Sequence, residues 1–164
     1  MVQLAILAQL YIENWKCPRN YILFLFQEAA PVWNAEEQVS LTKHDEEFQV
    51  LTEKYNDIKQ DLLKASSNMS EGWLSHIKTS HDQNLIVGQG NWSVYPLFAW
   101  GKRKSFSCSK VPQTCLMIKE KFPLAAQFGL GVARFEALFG KTGVIPHCGP
   151  VNSRLRMILP LQVH

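Results

Sequence analysis

Apolar residues recur with helical spacing between residues 43 and 65. Phe48, Leu51, Tyr55, Ile58 and Leu62 follow one another at intervals of 3, 4, 3 and 4, which lines them along one stripe of a helix. Asp45, Glu46, Glu47, Glu53, Lys54, Asp57 and Lys59 fill the remaining positions and predict a solvated face. Thr42 fits an N-cap, with Asp45 in the first turn, where the helix dipole favours an acid. The stripe lasts about two heptads, so it predicts docking on a core and not a coiled coil. A second helix is predicted from Pro112 through Lys121, opened by one proline and closed by Pro123.

Strand patterns lie further along. Residues 91–101 read as an aromatic strand entering a turn, followed by Lys102, Arg103 and Lys104. Residues 132–138 and 153–159 alternate partly with period 2, and residues 66–91, rich in Ser, Gly and Asn, read as loop. Residues 1–35 are apolar in patches, without the basic start of a signal peptide, and are expected to be an irregular leader before a domain at 36–164. Helices first and strands later predict an α+β fold.

Composition narrows the class. The chain has 164 residues, 46% hydrophobic and 19% charged, which is globular composition. It has no run of ~18 apolar residues that would span a bilayer. Charge is segregated: residues 1–100 hold seven Lys/Arg against twelve Asp/Glu, residues 101–164 ten against two. The basic part suits an anionic ligand, an acidic protein or simply solvent. No nucleic-acid-binding signature accompanies it, so a nucleic-acid partner is not expected. Cys17, Cys108, Cys115 and Cys148 contain no C-x-x-C pair, which excludes a zinc ribbon or thioredoxin-like motif. Residues 129–134 begin like a dinucleotide fingerprint, but Arg134 replaces the third glycine.

The stretch 146–156 has the most chemical content. His147 precedes a Gly149-Pro150 turn, and Arg154 and Arg156 follow at i and i+2, on one face of a strand. A guanidinium inside a barrel is costly unless it meets an anion, and a bidentate carboxylate suits it. A nearby imidazole could hold a metal. From residue type alone, a packing histidine and surface arginines account for the same pattern.

The same residues resemble the aspartyl/asparaginyl β-hydroxylase family, whose pattern is close to P-H-x-G-P-T-N-x-R-L-R-x-H-L. Here Pro146, His147, Gly149, Pro150, Asn152, Arg154, Leu155, Arg156 and Leu159 match it. Upstream, Asn91 to Arg103 is similar to the family's aromatic strand and G-[RK]-R turn, and Cys108 to Cys115 to its C-x-x-x-P-x-T-C segment. The resemblance covers about residues 31–164. It implies helices followed by part of a double-stranded β-helix, or jelly roll, using Fe(II), O2 and 2-oxoglutarate to hydroxylate Asp or Asn in EGF-like domains. On that pattern His147 is an iron ligand, Phe98 and Arg156 bind the cosubstrate, and Cys108 pairs with Cys115. The endoplasmic reticulum is the implied compartment, with a membrane anchor that this chain does not contain.

Three positions depart from the pattern: Val151 replaces Thr, Ile158 replaces His, and Glu136 stands where the family carries a small polar residue. The family's second iron histidine and second cosubstrate arginine lie beyond residue 164. The chain is therefore read as a dioxygenase-like protein with an incomplete barrel, the alternative being a truncated, catalytically inactive family member; on its own it is expected to show no 2-oxoglutarate turnover.

Overall fold

The computed structural model describes residues 3–10, 45–75, 87–129, 131–144 and 155–162. In chain order these form β1 (Gln3–Leu10), α1 (Asp45–Glu53), α2 (Tyr55–Ser66), β2 (Leu74–Ser75), β3 (Val87–Gln89), β4 (Trp92–Ala99), β5 (Lys102–Arg103), α3 (Ser105–Lys110), α4 (Pro112–Lys121), α5 (Pro123–Gln127), β6 (Val132–Leu138), β7 (Gly143–Val144) and β8 (Leu155–Gln162). The class is α+β. All the strand pairs are antiparallel.

The main sheet has the order β2-β4-β6-β1-β8, with β5 also paired to β4, and β3 and β7 form a separate ribbon. Residues 3–10 correct the expectation of an irregular leader. They form β1, which pairs with β6 on one side and β8 on the other. Six of its eight residues are apolar, which suits a strand inside a sheet better than the strict alternation of an edge strand.

Register divides the sheet into two faces. Tyr95 stands opposite Phe135, and Phe98 opposite Ala133 across a bulge at Leu97. These four residues, Ala137 on β6, and Met157 and Leu161 on β8 are all buried. This face packs against the helices, whose buried residues include Leu51, Ile58, Leu62, Val111, Ile118 and Phe122. Period 2 in the strands and period 3.6 in the helices thus converge on one core.

The predicted helix at 43–65 is two consecutive helices that meet at Lys54. Backbone hydrogen bonds from Lys54 N–H to the Val50 carbonyl and from Ile58 N–H to the Lys54 carbonyl, 3.0 Å each, carry the ladder across the junction. Leu51, Ile58 and Leu62 are buried as the stripe predicts, but Phe48 is exposed. The Tyr55 hydroxyl donates to the Leu161 carbonyl at 3.1 Å and ties α2 to β8. Thr42 lies outside the described residues.

The helix opened by Pro112 forms as predicted, with proline at its first turn, where no intrahelical N–H is lost. An acceptor for its first turn comes from elsewhere in the chain. Asp61, fully buried on α2, accepts 2.9 Å hydrogen bonds from both the backbone N–H and the hydroxyl of Thr114. Cys108 and Cys115 form a disulfide that joins α3 to α4, and both are buried.

Tyr95 lies between the layers, with its ring 5.3 Å from Trp73 and 6.3 Å from Phe135. Burial raises its pKa above the ordinary value; the nearby Glu71 charge adds to this and a hydrogen bond with Ser107 partly offsets it. A tyrosine that resists ionisation when folded releases its proton first in the unfolded chain. Stability from this group is therefore complete below about pH 10 and is lost as pH rises through the raised folded value. Equilibrium unfolding between about pH 9 and 11 should show a steeper alkaline loss in the wild type than in Tyr95→Phe. Equal slopes would contradict the burial of Tyr95.

Candidate functional site

The sheet face turned away from the helices carries the polar chemistry. Arg134 and Glu136 sit at i and i+2 on β6 and therefore share this face. Arg134 Nε–H donates to Glu136 Oε1 at 2.6 Å. Glu136 is only 5% exposed. A carboxylate that far from water needs a partner, and the guanidinium two residues away supplies one in charge-assisted form. In register, Glu136 stands between Val94 of β4 and Ala5 of β1, and Arg134 between Pro96 and Leu7. Trp92 and Val94 are buried beside them.

The face opens toward β8. Ile158 is opposite Leu7, two strands from Arg134 in the same row, and is 54% exposed. Arg156 stands opposite Gln9 on β8. Phe98 belongs to the other side of the sheet: it is 2% exposed and packs in the core facing the helices. Its row partner is Ala133, which leaves β6 and β1 between it and β8, so the two backbones are about 14 Å apart across the sheet. The structure therefore places Phe98 and Arg156 on separate strands of one sheet without bringing them together. His147 and Arg154 lie outside the described residues, as do Val151 and Cys148.

Elsewhere, a cleft of ≈ 300 Å3 runs between α1, α2 and α4, lined by Val50, Lys54, Ile58, Thr114, Leu116 and Met117 among others. It belongs to the helical layer. Among the described residues no group of three or more His, Cys, Asp or Glu could hold a metal ion, and no helix is long and apolar enough to cross a membrane.

Two features were not drawn from the sequence, although it carries a signal for each. The Arg134–Glu136 pair was legible in principle, because i and i+2 on a predicted strand share a face. Asp61 follows Ile58 by three positions and so falls on the apolar side of its helix; an acid there signals a buried acceptor.

The model of the family described as Aspartyl/Asparaginyl beta-hydroxylase matches residues 52–164, more than half of the chain. The chain belongs to the aspartyl/asparaginyl β-hydroxylase family. The matched region takes in α2, all of β2 to β8 and the three helices between β5 and β6. β1 lies outside it. Over 82 residues, half of this chain, the sequence is 38% identical to aspartyl/asparaginyl beta-hydroxylase of Homo sapiens and 35% identical to that of Mus musculus. Those alignments span 11% of either relative's length.

Proposed function

We propose that this hydroxylase-family chain carries part of an Fe(II)- and 2-oxoglutarate-dependent dioxygenase site directed at Asp and Asn side chains of EGF-like domains. The family match across residues 52–164 is the observation that carries the reading. A jelly-roll barrel would be built on the antiparallel sheet described above. The resident compartment would be the endoplasmic reticulum, and the buried Cys108–Cys115 disulfide supports an oxidising one.

The described residues do not by themselves make up a site for iron or for the cosubstrate. On the polar face Arg134 is already engaged by Glu136, and Arg156 takes a register position on β8 opposite Gln9. The residues that the family pattern assigns are His147, as an iron ligand, and Arg156, as the guanidinium for a 2-oxoglutarate carboxylate. When bound, the iron and cosubstrate supply the oxidising power for a C–H bond. The chain's own part is to hold carboxylates by charge and to exclude water with the apolar rim of Trp92, Val94 and Ile158.

Glu136 favours a second reading, a family member without turnover. A buried carboxylate beside an anion site repels a dianionic ligand, and low dielectric strengthens the repulsion. One experiment separates the two. Binding of 2-oxoglutarate to the whole chain is measured with Fe(II) under nitrogen, and succinate is followed after adding O2 and an EGF-like peptide. Arg156→Ala should weaken binding about tenfold or more, the loss expected for a charge-assisted pair. Glu136→Ser should tighten it. Binding that neither substitution changes would overturn the dioxygenase-type site. Succinate from the wild type that disappears in His147→Ala would overturn the second reading.

A further inference from the structure

At the end of β4 the chain reverses through Trp100 and Gly101, whose φ angles are +58° and +70°. For Gly101 this is unstrained, and the turn needs glycine there, because a Cβ would stand 2.7 Å from the Gln127 carbonyl oxygen. For Trp100 it is costly, since a bulky residue seldom adopts a left-handed backbone. The surroundings impose it. Trp100 N–H donates to the Gly131 carbonyl at 3.1 Å, and Lys104 N–H closes the hairpin onto the Leu97 carbonyl at 2.8 Å.

The side chain held by this strained turn faces mostly solvent. Trp100 is 65% exposed, although Gly or Asn would fit the same backbone more easily. Leu124 and Phe128, on the segment against which the turn packs, are also exposed. Lys102, Arg103 and Lys104 follow directly and are all exposed. Among the described residues none of the three lies in a salt bridge. Two acidic residues only, Glu120 and Glu136, occur after residue 100, and Glu136 is taken up by Arg134.

We propose that this hairpin tip is a docking surface for an acidic peptide segment. Trp100 covers an apolar side chain of the partner, and Lys102, Arg103 and Lys104 meet its carboxylates. Exposed Trp and Arg next to one another have the composition of an interface anchor, and a rigid aromatic on a fixed turn loses little entropy when it is covered. Charge decides between a peptide and a membrane surface. Polybasic lipid sites gather about 4–8 Lys/Arg, more than this tip offers, whereas three cations within three residues match a short acidic segment. The inference is independent of the dioxygenase reading, because its readout is binding and not turnover.

The test is fluorescence anisotropy of a labelled peptide in which glutamates flank one phenylalanine, titrated with the whole chain. A second peptide with glutamine at every glutamate, and vesicles containing phosphatidylserine, serve as comparisons. The acidic peptide should bind about tenfold or more tightly than the glutamine peptide and should weaken as salt rises. Trp100→Gly should weaken it by a similar factor while the thermal midpoint stays equal or rises, because glycine relieves the positive φ. The combined change Lys102→Gln, Arg103→Gln and Lys104→Gln should do likewise. Lys54→Gln, Lys119→Gln and Lys121→Gln, which remove the same charge elsewhere, should leave binding intact. Equal affinity for the two peptides, an equal loss in the charge-matched control, or Trp100-dependent binding to vesicles in preference to the peptide would each refute the proposal.

Discussion

Phe135→Ala is expected to lower the unfolding free energy by about 3–5 kcal/mol. Phe135 is the fully buried centre of β6, the strand that joins β4 to β1. Its ring meets Tyr95, which in turn meets Trp73 at the entry to β2. Truncation removes the apolar contacts of the ring and leaves a cavity between sheet and helices, and neither strand can collapse into it because both are held by ladders on each side. Against a typical domain stability of ~5–15 kcal/mol, that is about a fifth or more of the total. Urea unfolding should show a lower midpoint at unchanged slope. Phe135→Leu should recover most of the loss. Ile158→Ala, on the exposed row of the same sheet, should stay within about 0.5 kcal/mol. A loss below about 1 kcal/mol for Phe135→Ala would mean that β6 does not face the helices as described.

The contrast between Phe135 and Ile158 also shows what a sequence reading can reach. Alternation in residues 132–138 identifies the strand, and the stripe from Leu51 to Leu62 identifies the helical layer, because both signals are local and repeat. The break at Lys54 leaves no such trace, since the hydrogen-bond ladder continues through it. β1 fails for the opposite reason. An apolar segment without period 2 fits a buried strand, a leader or part of a helix equally well, and only pairing with β6 and β8, more than a hundred residues away, selects the strand.

The candidate site was legible to a different depth at each residue. His147 and Arg156 were singled out by motif, and Arg156 is found on β8, the outermost strand of the main sheet, beside β1. Phe98, assigned to the cosubstrate by the family pattern, lies in the core facing the helices. The bulge at Leu97 sets this face. One extra residue moves Phe98 onto the face of Tyr95, where strict period 2 from Tyr95 would place it on the face of Val94. The same face assignment leaves Arg134 and Glu136 as the polar centre of the opposite side, and their mutual neutralisation links the packing of β6 to the question of anion binding.

Asp61→Ala carries the second large effect, an expected loss of about 3 kcal/mol. Thr114 is the third residue of α4, and its N–H is one of the donors that a helix start leaves without an intrahelical partner. No side chain of the preceding residues caps this helix. Asp61 does so from α2, taking both the N–H and the hydroxyl of Thr114 on one oxygen, while its other oxygen receives Lys64 Nζ at 3.3 Å. Alanine leaves two buried donors of Thr114 without their acceptor, each costing about 1–3 kcal/mol less whatever water recovers. Asp61→Asn keeps a carbonyl oxygen that can accept both bonds and should cost about 1 kcal/mol, since a neutral acceptor is weaker than a charged one. Lys64→Ala should cost less than either, because Lys64 is half-exposed and its pair is screened. The decisive measurement is a double-mutant cycle with Thr114→Val, read by urea unfolding. Asp61→Ala made in the Thr114→Val background should cost much less than in the wild type, with a coupling of at least about 1 kcal/mol. Additive losses would show that Asp61 stabilises the chain by some route other than capping α4, and would separate the α2–α4 contact from the disulfide that enters the same helix at Cys115.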